Sequence, residues 1–286
     1  MAVTNIKDIV DAELEGRSRI YTWRKTPALA TSSNVWFDIS MSSGNPKAKQ
    51  WFDATPLVAQ QVKQSTDGGL FHGANVTPST KYLRMLSTRS NSATGIPMDI
   101  ILCDYLLYYP TVDMSETAEQ LMDNTATLPR YSDGAGVQMM AVLTAGGAGG
   151  EYFQVRYTNQ DGVSGRLTPL IRQGTSTVNG TIVHGAPTTA NMTGPFMPLQ
   201  EGDTGVRSIE GVTQQVADTG LFSIILVKPL LQTQIRELNT PYEKDPFIQS
   251  GILPEIQDDA FLSFVCLPTA SLNGVVLYGD IKVIWN

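Results

Sequence analysis

His72 in Phe71-His-Gly73 and His184 in Val183-His-Gly185 are the only imidazoles in the 286-residue chain. A two-histidine metal site would need carboxylates to complete it. A Ser-His-Asp triad is open to either histidine, but no G-x-S-x-G elbow is present. Each histidine adjoins a glycine at an expected strand end, where a structural hydrogen bond or plain exposure is the simpler reading. Paired carboxylates for glycoside hydrolysis could come from Asp258-Asp259 or from Glu201 and Asp203. Adjacent residues of a strand point to opposite faces, which separates the first pair. The second falls in the turn Leu199-Gln-Glu-Gly-Asp-Thr-Gly205, where acids commonly serve the turn itself. No D-x-[DN]-x-[DN]-G order marks a calcium loop. The run Ala145–Gly150 lacks G-x-G-x-x-G, and there is no P-loop. Cys103 (IILCDYLL) and Cys266 (FLSFVCLP) sit in apolar runs and read as small buried hydrophobes, with a disulfide, metal pair or nucleophile as alternatives. These residues point away from catalysis: no enzyme activity, catalytic residue, metal or cofactor is expected.

The elements that would carry these residues are mostly strands. Only 16% of the chain is charged, 42% is hydrophobic, and Lys and Arg number 20 against 27 Asp and Glu. That balance disfavours disorder and a polybasic nucleic-acid binder. Two cysteines exclude a disulfide-stapled mini-protein. A surface rich in Gly, Ser, Thr, Asn and Gln suits a protein covered by copies of itself or by a partner. The opening residues hold no apolar core of a secretory signal, and no apolar run approaches the ~18 residues of a membrane span. Folding in a cytoplasm is the expectation. The first hundred residues carry 11 Lys and Arg against 8 Asp and Glu, the remainder 9 against 19. This polarity could steer subunit contacts, or it could be plain composition.

Asn5 as cap, Asp8 in the first turn and Gly16 as stop predict a helix over 5–15. Its stripe of Ile6, Ile9, Val10 and Leu14 must rest on the protein's own body or on a neighbour. Strands are expected at 35–39, 81–88, 97–109 (ending at Pro110), 137–143, 152–157, 221–227, 260–267 and 275–285. Residues 51–70 fit a helical turn or a strand. A second short helix is expected over 114–124, from Met114, Ala118, Leu121 and Met122 behind Ser115. Val178-Asn-Gly-Thr181 reads as a two-residue hairpin of type I′. Residues 239–254, with three prolines, read as a surface excursion. The expected fold is mainly β, an antiparallel β-sandwich or jelly-roll with a short N-terminal helical arm. The parts are an amphipathic arm (1–19), a β-rich part with one short helix (20–128) and a C-terminal antiparallel sandwich (129–286), the last two open to being one continuous domain. Aromatic residues, including Trp23, Trp36, Trp51 and Trp285, are scattered through strands as core or interface groups are. Basic interleaving for nucleic-acid stacking is weak, confined to Arg17, Arg19, Arg24 and Lys25.

Six stretches carry a resemblance: VWFDISMSSGNP (35–46), GGLFHGANVTP (68–78), ILCDYLLYYPTVDM (101–114), QLMDNTATLPRYSDGAGVQ (120–138), YTNQDGVSGR (157–166) and GPFMPLQEGDTGVRSI (194–209). Together they resemble a family of virion structural proteins of tailed bacteriophages, over most of the chain. The resemblance implies a particle component present in many copies, assembled in the host cytoplasm and located in the virion. A head protein that decorates or cements the capsid lattice is the first expectation. A tail or baseplate block is the alternative, and a carbohydrate-binding β module for host attachment a second one. The expected partners are the major capsid protein or other virion proteins, with homo-oligomerisation, no sequence-specific nucleic-acid contact and no membrane. Candidate interface residues are Ile6, Ile9, Val10 and Leu14 on the arm, Arg130 and Tyr131 in the bend 128–136, and Pro195 and Phe196 in the loop 194–198. Ordinary internal packing is the competing reading for both loops.

Overall fold

A computed structural model describes residues 3–147 and 149–286; Met1 and Ala2 of the arm and Ala148 of the glycine-rich loop lie outside them. The chain opens with α1 (Ile6–Leu14) and β1 (Ser18–Thr26), then β2 (Phe37–Asp38), a 3-10 turn (Ile39–Met41) and β3 (Ser43–Asn45). After β4 (Gln60–Gln61) and α2 (Gln64–Asp67) come β5 (Lys81–Ser90), β6 (Met98–Asp113), β7 (Gln120–Leu121), β8 (Gln138–Ala145) and β9 (Tyr152–Asn159). The two-residue strands β10 (Arg166–Leu167) and β11 (Ile171–Arg172) precede β12 (Val206–Gln214) and β13 (Leu221–Ile235). Last are β14 (Tyr242–Lys244), α3 (Pro246–Ser250), β15 (Glu255–Ile256), β16 (Phe261–Leu267) and β17 (Leu277–Trp285).

Three antiparallel sheets result. The central one runs β2-β16-β6-β13-β8, and its long strands β6 and β13 span 16 and 15 residues. One half of its inner face, through Ile100, Leu102, Leu262 and Phe264, packs on the sheet β14-β5-β17-β1-β3 at Trp23, Leu86, Ile281 and Val283. The other half, through Leu107, Tyr109, Ala141 and Ile224, packs on the sheet β10-β9-β12-β7 at Phe153, Val155, Ile209 and Val212. Two sandwiches thus share one sheet. Its other face, with Ile101, Cys103, Tyr105, Ile225 and Val265, is roofed by the loop residues Trp36, Trp51, Val62 and Ile182. Burial on both faces explains why 100–109 is almost continuously apolar instead of alternating. Each sheet takes strands from both sides of position 128.

The mainly β, antiparallel, sandwich-like architecture with a short N-terminal helix is as expected; several local elements differ. Residues 114–124 form no helix. Asp113 Oδ1 accepts from the Ser115 N–H (2.8 Å) and hydroxyl (2.7 Å), the Gln120 amide bonds both backbone groups of Asp113 (2.8 Å each), and Gln120–Leu121 pairs with β12. Side-chain bonds to the backbone replaced the helical ones. Pro110 does not end β6, because a bulge sets Pro110 and Thr111 (φ 63°) opposite Ser223 and the ladder resumes at Val112. At Val178–Thr181 only Gly180 takes a positive φ (96°), which fits a type II turn and not type I′. Strand 35–39 shortens to β2 because the Asp38 carboxylate turns the chain onto Ser40. Residues 51–70 contain both a strand pair and a helical turn, and 239–254 contains β14 and α3.

Candidate functional site

The N-terminal helix forms where the sequence places it. Asn5 Oδ1 accepts from the Asp8 N–H (3.1 Å) and Asp8 Oδ2 from the Asn5 N–H (3.2 Å), a reciprocal capping box. The apolar stripe then divides. Ile9 (6% exposed) faces inward beside Ala12 and Val3 onto Leu253 and Ile284, with Tyr82 and Phe247 against them. The Glu13 carboxylate meets Lys282 Nζ at 2.6 Å. Ile6, Val10 and Leu14 lie one turn apart along the outer edge and are 69%, 48% and 81% exposed. Ile248 within α3 and Ile252 just after it are also exposed, beside Phe247, which packs on the same small core. Docking and an unpartnered apolar edge coexist on one helix.

The two loops turn inward. Arg130 is 7% exposed and forks onto the buried Asp104 carboxylate at 2.7 and 2.8 Å. It also donates to the Val62 and Tyr105 carbonyls, while the Phe261 N–H donates to Asp104. Burial pushes the Asp104 carboxyl up to about 6, against the pull of Arg130. Tyr131 takes a positive φ (51°), and Lys228 Nζ sits 5.4 Å from its ring. Pro195 is buried, and Phe196 packs against the cluster that contains Trp36 and Trp51.

Most of the catalytic candidates are engaged in structural bonds. The His72 Nε2–H bonds the Ala260 carbonyl (2.9 Å), and Nδ1 accepts from Lys81 Nζ (3.0 Å). Burial, and then the Lys81 charge, push His72 down to about 4; burial does the same to His184, whose Nε2 accepts from the Ala141 N–H. Asp258 accepts from Val76 and Thr77, and Asp259 from the Ser65 N–H and hydroxyl. Asp203 accepts from the Tyr157 hydroxyl (2.6 Å), Asn159 Nδ2 (2.7 Å) and Arg166 Nε (2.9 Å), whereas Glu201 is exposed. Burial would raise the Asp203 carboxyl, but these three donors outweigh it and hold it low. Cys103 and Cys266 are free and buried, and burial raises both thiols. Among the described residues no group of three or more His, Cys, Asp and Glu could hold a metal ion, and no helix is long and apolar enough to cross a membrane.

Sequence reasoning missed the polar knot under the roof. Asp38 is fully buried and accepts from the Ser40 N–H (2.9 Å) and hydroxyl (2.6 Å), Trp51 Nε1 (2.7 Å) and the Tyr105 hydroxyl (2.7 Å). Beside it the Lys25 ammonium, 1% exposed, donates to the carbonyls of Ser40 (3.2 Å), Ser42 (3.0 Å) and Lys47 (3.4 Å), and burial lowers it to about 8. An Asp two residues before a Ser inside an apolar stretch was the available signal. The stretches 35–46, 68–78, 101–114, 120–138, 157–166 and 194–209 hold many members of these knots: Asp38 and Ser40; His72; Asp104 and Tyr105; Arg130; Tyr157, Asn159 and Arg166; Asp203; Lys25, Trp51 and Lys81 lie outside them.

No protein-family model and no curated protein matches the chain. Solved structures that match include the VP2 subviral particle of infectious bursal disease virus, at 9% identity and TM-score 0.21 over 94% of this chain and 80% of that one. Structures of the Gt and Gx strains of that virus match at 9% and 10% identity, each with TM-score 0.18 over 94% of this chain and 81% of theirs. TM-scores this low establish no shared fold.

Proposed function

We propose that the protein is a structural subunit of a virus particle, and within that class a decoration protein on the head of a tailed phage. One observation carries this reading: Ile6, Val10 and Leu14 form an apolar edge on a helix whose other side is already docked. A docked helix holds that edge in a fixed orientation, so a neighbouring subunit binds it without the cost of ordering the helix. Burying each side chain is worth about 1.5–3 kcal/mol, and many copies multiply the effect. Binding to the assembled lattice then stabilises it by mass action. The stretches that resemble virion structural proteins of tailed phages support the same reading. Both histidines and the carboxylates of Asp203, Asp258 and Asp259 are engaged in internal bonds.

The test is the triple variant Ile6→Ser, Val10→Ser, Leu14→Ser. Its melting temperature is expected to stay within ~3 °C of wild type, because the edge touches no core. Its copy number in purified particles, by quantitative mass spectrometry, is expected to fall at least about tenfold. Undiminished incorporation would remove the edge from the mechanism. Cryo-EM of the labelled subunit in a tail ring, instead of over the head lattice, would replace decoration by the tail reading.

A further inference from the structure

The outer face of the β1–β17–β5 sheet carries a second feature, independent of α1. Strand register sets Arg24 opposite Tyr278 and Tyr278 opposite Arg89, so the three side chains form one row on one face. The adjacent row is Thr22, Asp280 and Ser87. Asn45, on the edge strand β3, pairs with Arg24. Together Thr22, Arg24, Asn45, Arg89, Tyr278 and Asp280 line a groove of about 540 Å³, within the range of small-molecule sites.

The two arginines in this groove are short of close acceptors. Arg24 is exposed and, among the described residues, has neither an ion pair nor a side-chain hydrogen bond. The Arg89 guanidinium lies 5.8 Å from the Tyr278 ring centre and only 3.5 Å from Asp280, long for a charge-assisted bond. Its Nε–H is buried and has no partner. By contrast, Arg156 on the opposite sandwich is held at 2.7 and 2.6 Å by Glu119 and Glu210. A net-negative chain has thus kept two guanidinium forks, either side of a tyrosine, short of acceptors.

We propose that this groove binds an acidic saccharide, its carboxylate or sulfate held between Arg24 and Arg89 and its hydroxyls bonded to Asp280, Asn45 and Thr22. Guanidinium forks match planar oxyanions. The volume exceeds what a bare anion fills, and Tyr278 offers apolar ring surface at its centre. Asp280 would repel a simple anion at that point, but it accepts from sugar hydroxyls, while Asn45 and Thr22 both donate and accept.

Isothermal titration of the full chain with trigalacturonate, sialyllactose and a sulfated chondroitin disaccharide tests this, with lactose, inorganic phosphate and a pentaglutamate peptide as controls. At least one acidic saccharide is expected to bind more tightly than all three controls. Arg24→Gln is expected to weaken that binding about tenfold or more at unchanged melting temperature, since among the described residues Arg24 makes no side-chain hydrogen bond or ion pair that the variant would break. Asp280→Ala is expected to weaken the saccharide and not phosphate. Failure of all three saccharides to bind, binding of phosphate or the peptide as tightly as the saccharide, or full binding by Arg24→Gln would each overturn the proposal. None of these outcomes bears on the α1 edge, which is read by particle incorporation.

Discussion

Four donors converge on the Asp38 carboxylate and two of Arg130's nitrogens on Asp104, and at both places the residue acts through desolvation. Removing one partner of a buried pair leaves an uncompensated charge, whereas removing both need not. Arg130→Met is therefore expected to cost about 3–5 kcal/mol in urea denaturation, and Arg130→Met with Asp104→Leu to recover most of it. Additive losses would mean that the pair is not coupled. The histidines supply a pH dependence. Their folded values near 4 lie below the usual 6.5, so between these the unfolded chain binds more protons than the folded one. Stability from each is complete above 6.5 and is lost as pH falls towards 4. His184→Gln keeps an acceptor for the Ala141 N–H without titrating. Its stability relative to wild type is expected to rise by up to about 1.4 kcal/mol per pH unit as pH falls through that window, measured by denaturation at pH 7, 6 and 5. Asp104, raised to about 6, has the opposite sign, losing stability as pH rises through that value, and cancels in the comparison.

At the scale of elements, local sequence decided wherever the bonds that matter lie within a few residues. The capping box at Asn5 and Asp8 and the stop at Gly16 fixed α1 from sequence alone. Which side of its stripe would be covered was not legible, because Ile9 differs from Ile6 only in where Leu253 and Ile284 sit. Ile9→Ala is expected to cost about 2 kcal/mol, and Leu14→Ala less than about 0.5, by thermal or urea melts. The expected helix at 114–124 failed for the converse reason: Gln120 finds its bonds at Asp113 and β12, partners that no helical pattern records. In β17, a Cβ at Gly279 would stand 1.9 Å from the Ser87 carbonyl oxygen, which is backbone and cannot swing away. Gly279→Ala is expected to open the β17–β5 ladder and to lose soluble expression or more than about 3 kcal/mol.

For the whole molecule, the shared central sheet is the governing feature. β6 and β13 contribute to both sandwich cores, so neither core can be lost without the other. A single unfolding transition is expected, with tryptophan fluorescence and far-ultraviolet circular dichroism coinciding along a urea titration. Two separated transitions would show the sandwiches to be independent. The sheet edges β2, β3, β7, β10 and β14 are only two or three residues long, and the eight-residue edge β8 is covered by backbone bonds to Thr181, Val183 and Met197. Short edges resist strand addition between copies, which leaves faces and the α1 edge as the surfaces for assembly.

The sequence by itself determined the β class, most strand positions, α1 and the low charge of the surface, because alternation, turn chemistry and capping act over a few residues. Tertiary structure alone decided that two sandwiches share one sheet, that Arg130 turns inward, that Asp38 and Lys25 are buried together, and that Arg24, Tyr278 and Arg89 stand in a row. Those outcomes depend on the register of strands far apart in the chain and on the cost of desolvating charge. A local pattern contains neither.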